Sequence, residues 1–108
     1  MNPAPALHHD WRAAESRRAA ALADIDKHLD NVKACIRWLV AQGVYIQDVK
    51  VATHNRPLIT ISASPLLPTL FKDDCASGQH GDSLLGRTMY DFIAIRFECA
   101  ICWSEAKQ

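Results

Sequence analysis

Cys99 and Cys102 stand two residues apart near the end of the chain, and Cys75 and His80 could join them. Three thiolates and an imidazole are a donor set that suits a tetrahedral zinc ion, which makes zinc binding or thiol chemistry the first reading to weigh. The secondary structure expected around them opposes it. Residues three apart on a strand point to opposite faces, so Cys99 would enter the core while Cys102 turns outward. A thioredoxin-like pair needs a helix N-terminus to lower its thiol pKa, and only six residues follow Cys102. The expectation is therefore that no metal is bound and no cofactor is used, with the set Cys75, His80, Cys99 and Cys102 kept as the alternative.

Two further patterns resemble chemistry. Gly81-Asp82-Ser83-Leu84-Leu85-Gly86-Arg87-Thr88 has the spacing of a phosphate-binding loop with Arg in the lysine position. Such a loop needs a strand before it and a helix after it so that backbone amides face the phosphates, yet a strand is expected to follow here. Ser77, His80 and Asp82, or Cys75 with His80, could be drawn as a nucleophile and its base. They fall in a single glycine-rich stretch, whereas catalytic groups need rigid elements to hold them in register. Asp73, Asp74 and Asp82 read as solvated loop acids in place of a cation site. The chain is expected to be non-enzymatic.

The elements that would position these residues follow from periodicity. Leu22, Ile25, Leu29, Val32, Ile36 and Leu39 recur at alternating spacings of three and four, which is an apolar stripe along one side of a helix. Asp10 is a suitable N-cap, Gly43 a suitable left-handed stop, and nothing between them breaks a helix. The resulting helix, about 50 Å long at 1.5 Å per residue, exceeds what a small sheet can cover. Its first half carries Glu15 and Arg18 where the stripe would continue, with Trp11 and a run of alanines beside them. Either the helix breaks near Arg17-Arg18 or that half meets a second copy of the chain, and the second alternative is preferred because alanine favours an unbroken helix. Residues 1–9, rich in proline and histidine, are expected to be a disordered tail, and 10–108 a single domain.

Beyond Gly43, Val44 to Thr53 is expected as a strand with Tyr45, Val49 and Val51 on one face and Ile46, Asp48 and Lys50 on the other. His54-Asn55-Arg56-Pro57 is a turn, and Leu58 to Ser64 is the second strand of a hairpin. Pro68 permits one helical turn to about Lys72. Lys72 to Arg87 is expected as an exposed mobile loop. Ile93, Ile95, Phe97, Cys99, Ile101 and Trp103 alternate with a more polar even series, which predicts one long strand whose odd side chains lie beneath Leu29, Val32 and Ile36. The fold class is α+β: one long N-terminal helix packed on one face of a three-stranded, mainly antiparallel sheet, in the order α-β-β-short α-β.

Composition excludes several function classes. Twelve Lys and Arg balance twelve Asp and Glu, so there is no general field to draw nucleic acid or anionic lipid. Arg12, Arg17, Arg18 and Arg37 share their helix with Asp24, Asp26 and Asp30, which weakens a nucleic-acid reading further. Apolar runs are far shorter than the roughly 20 residues that span a bilayer, so a cytoplasmic location without a membrane partner is expected. With 49% hydrophobic and 22% charged residues, the chain has the composition of a globular domain.

A glycine after a helix, a hairpin with Arg56-Pro57 in its turn and isoleucines at Ile59 and Ile61, a proline and leucine turn, and a terminal segment with Gly86-Arg87, Tyr90, Cys99 and Cys102-Trp103 make up a recognisable layout. It resembles that of small uncharacterised proteins encoded in phages and prophages. The resemblance implies an accessory role through binding a host or phage protein, and no catalytic residues. The functional expectation is an interaction protein, a homodimer that also contacts an unidentified protein, with Trp11, Ala14, Arg18, Ala21, Trp38 and Phe92 as its contact residues. Its two surfaces are the first half of the helix and the even face of the last strand, including Phe92, Ala94, Ala100 and Cys102.

Overall fold

The computed structural model describes residues 4–72, 74–82 and 87–107, with side chains for 11–72, 74–78 and 88–106. A single helix, α1 (Ala4–Ala41), runs unbroken through Arg17-Arg18 and starts well before Asp10. Gly43 ends it at φ 84°, a left-handed conformation natural to a residue without Cβ. The closing turn is hydrogen-bonded, Val44 N–H donating to the Leu39 carbonyl at 3.0 Å.

Five strands follow, β1 (Ile46–Lys50), β2 (Leu58–Ile61), β3 (Cys75–Asp82), β4 (Arg87–Arg96) and β5 (Cys99–Lys107), with the single turn α2 (Leu67–Leu70) between β2 and β3. They form one mixed sheet in the order β1-β2-β5-β4-β3, in which β2 and β5 run parallel and the other neighbours antiparallel. The α+β class and the long helix agree with the sequence reading. The sheet does not: it has five strands, where three were expected.

Both additional strands come from misread segments. Lys72 to Arg87 was expected to be a loop, but Cys75–Asp82 pairs along its length with β4. Its glycines and polar residues have poor strand propensity, which pairing with a long neighbour overrides. Asp73 and residues 83–86 lie outside the described residues. The expected single strand from Ile93 to Trp103 is instead a hairpin, folded at Phe97 (φ 53°) and Glu98 (φ 58°). Two consecutive left-handed residues are the signature of a tight two-residue turn, ordinarily built from Asn and Gly. Neither residue here announces it.

That turn corrects the facing of the whole terminal segment. Partners across a two-residue turn have opposite parity: Arg96 pairs with Cys99, Ala94 with Ile101 and Phe92 with Trp103. The face toward α1 therefore carries even residues of β4 and odd residues of β5. Ala94, Cys99, Ile101 and Trp103 are buried there, whereas Ile93 and Ile95 are exposed on the other side. A similar shift affects β1, where a bulge between Ile46 and Asp48 puts Ile46 and Val49 together against the core and leaves Tyr45 exposed.

The core lies between this face and the second half of α1, and includes Val32, Cys35, Leu39, Ile59, Ile61, Leu67, Phe71, Ile101 and Trp103. Its aromatic side chains form a continuous row. Phe92 stacks on Trp103 at 5.3 Å, Trp103 on Phe71 at 5.2 Å, and Phe71 meets the edge of Trp38 at 5.8 Å. Arg96 lies over the Trp38 and Phe71 rings and pairs with Asp74, closing the row toward solvent.

Candidate interaction surface

The helix presents its side chains in a way its apolar stripe alone does not predict. Burial follows Val32, Cys35 and Leu39, with Ile25, His28 and Asn31 half-buried in line with them. Leu22 and Leu29, both expected to belong to the buried stripe, are 61% and 41% exposed. The stripe has rotated by a fraction of a turn. Cys35 is a small apolar residue in practice, and His28 faces inward because its Nδ1–H donates to the Ala52 carbonyl at 2.9 Å. His28 thus ties the helix to the segment after β1.

The consequence is an apolar row on a flank of α1. Trp11, Leu22, Leu29 and Val40 are spaced 11, 7 and 11 residues apart, which keeps them within about 20° of one line along the helix. All four are exposed. Trp38, about half a turn away from Leu29, occupies the opposite flank against Phe71 and Phe97. The row therefore faces away from the β4–β5 turn.

The first half of the helix also overhangs its own fold. No side chain from Trp11 to Asn31 is buried. The protein measures 72 × 35 × 22 Å, and a 38-residue helix accounts for about 57 Å of the long dimension. Under the overhang, Ala14, Arg18 and Ala21 line an open groove of about 540 Å³ whose far wall is Thr53 and His54. Next to it, Asp24, Lys27, His28, Arg56 and Glu98 surround a polar recess of about 310 Å³. Glu98 accepts a hydrogen bond from Asn31 Nδ2 at 3.1 Å and lies 3.8 Å from Lys27 Nζ, fastening the turn to the helix. Both partners of that ion pair are largely exposed, so it adds at most about 1 kcal/mol.

Of the contact residues expected from the sequence, Trp11, Ala14, Arg18 and Ala21 lie together on the overhang, while Trp38 and Phe92 are half-buried members of the aromatic row. The open face of the sheet is composed differently from the even face anticipated: Ile93 and Ile95 join Ala100 and Cys102, while Phe92 and Ala94 turn to the helix. Both helices pack on one side, and among the described residues nothing covers the other. The sequence signal for this was present in Ile93 and Ile95, and the unrecognised turn concealed it.

The cysteines are dispersed. Cys99 is buried on the helix side, Cys102 sits on the open face with its Sγ 3.5 Å from Thr60 Oγ1, and Cys75 lies at the β3 edge on the helix side. The His80 side chain lies outside the described residues, as do those of Asp82 and Arg87. Among the described residues no three His, Cys, Asp or Glu side chains converge on a common point. The glycine segment from Gly81 to Thr88 leaves β3 and enters β4, so a strand and not a helix follows it.

A thiol contact that sequence reasoning missed links the helix to the sheet. The Cys35 thiol lies beside that of Cys99, and Cys99 donates to the Phe97 carbonyl at 3.5 Å. Burial, with Cys99 beside it, pushes the Cys35 thiol up to about 12. Burial also raises Cys99. These are inert core thiols, because the reactive form is the thiolate.

Among the described residues no helix is long and apolar enough to cross a membrane. No family model, curated protein or solved structure matches the chain.

Proposed function

We propose that the protein is a non-enzymatic interaction protein of the cytoplasm that works as a homodimer through the overhanging half of α1. A single observation carries the reading: a continuous helix that, among the described side chains, has none buried from Trp11 to Asn31, yet keeps Trp11, Leu22 and Leu29 exposed in a line. Large apolar side chains aligned over such a length mark a contact surface, and the aromatic member is of the type that anchors interfaces. The open face of the sheet, with Ile93 and Ile95, is a second surface available to a different protein once two copies have joined. An accessory role of this kind accords with the resemblance to small phage and prophage proteins.

Light scattering coupled to size exclusion tests the reading. The full chain is expected at twice its 12.0 kDa mass, and Leu22→Glu with Leu29→Glu at the single mass. Both side chains are exposed in the single chain, so circular dichroism should be unchanged by the double substitution. A wild-type chain that stays at single mass up to high micromolar concentration ends the proposal.

A further inference from the structure

The charges beside the apolar row specify how two such helices would lie, an inference that rests on the dimer reading above. We infer that α1 pairs with α1 of a second copy antiparallel, centred on Leu22. The helix spans Ala4–Ala41, so Leu22 stands at its midpoint, and pairing about that residue overlaps the two helices along their full length. Each overhang then lies beside the sheet-bearing half of the other copy.

Counting outward from Leu22, an antiparallel partner brings Asp26 opposite Arg18 and Lys33 opposite Trp11, each twice by symmetry. Arg18, Asp26 and Lys33 are all exposed. The first contact is an ion pair, and the second sets an ammonium against an indole face. Leu29 falls opposite Glu15, one residue from the small Ala14. Other arrangements lose these matches. In-register parallel helices set Arg18 on Arg18, Asp26 on Asp26 and Lys33 on Lys33. An antiparallel pair shifted to bring Leu22 onto Leu29 sets Arg18 against Lys33 and leaves Asp26 opposite Ile25 with no basic partner. Like charges repeated along a seam reject a register as effectively as apolar contact favours one.

Charge reversal in the full chain tests this register. Arg18→Asp and Asp26→Arg should each raise the dimer dissociation constant about tenfold or more, and the double variant should return it to within about threefold of wild type. The two residues are eight apart on one helix, about 12 Å, so recovery cannot arise within a single chain. As a second readout under mild oxidation, Arg18→Cys mixed with Asp26→Cys should cross-link well beyond the wild-type background, and neither should do so alone. A dimer insensitive to the single reversals, or one cross-linked by Arg18→Cys alone, overturns the register while leaving the dimer intact. A wild-type monomer overturns both.

Discussion

Cys35 and Cys99 show how a chemically suggestive residue becomes a structural one. Each is fully buried, the two thiols lie side by side, and Cys99 donates to the Phe97 carbonyl. Because the folded pKa values lie above those of unfolded thiols, their stabilising effect is fully present below about pH 8.5, the unfolded value. It is lost as pH rises through the interval up to about 12, the folded value of Cys35. Urea midpoints should therefore fall between pH 8.5 and 10.5, with a slope of up to about 1.4 kcal/mol per pH unit for each of the two thiols. Cys35→Ala should shallow that slope. A thiol reagent at pH 8 should modify Cys35 and Cys99 only at the rate of unfolding. Rapid modification of either would show that the helix leaves the sheet easily.

Two left-handed positions govern the elements. At Gly43, φ is 84° and an added Cβ meets nothing within 4 Å, so Gly43→Ala tests backbone strain without a packing term. A loss of about 1 kcal/mol is expected by chemical denaturation with the m-value unchanged. At Phe97 and Glu98, two residues ill suited to positive φ are held in place by tertiary contacts, Phe97 against Trp38 and Glu98 against Asn31. Those contacts explain why a tight turn forms where no Asn-Gly signal calls for one. The turn in turn places Cys99, Ile101 and Trp103 under α1 and sends Ile93 and Ile95 to the open face.

For the whole molecule, the arrangement divides stability unevenly. The core between α1, β2 and β5 includes Val32, Cys35, Leu39, Ile59 and Ile101, whereas no side chain of α1 from Trp11 to Asp24 is buried. Amide hydrogen exchange should reflect this division. Protection in Ala13–Ala23 should rise with protein concentration as dimers form, while that of Ile101 should not change. Equal protection of both regions at every concentration would mean that the overhang is stable by itself.

The amino-acid sequence by itself determined the long helix, its end at Gly43, the β1–β2 hairpin, the single turn at Pro68 and the α+β class, because each depends on a period or a local signal. The opposite facing of Cys99 and Cys102 was legible for the same reason. The five-stranded sheet, the terminal hairpin, the inward rotation of Cys35 and His28, and the exposure of Leu22, Leu29, Ile93 and Ile95 were decided only in the tertiary structure. A residue period records alternation but not a reversal of direction, since a two-residue turn leaves the alternation intact while exchanging the faces. Likewise a broad apolar stripe states that a helix is amphipathic, and only the shape of the sheet beneath it selects which edge of that stripe is covered.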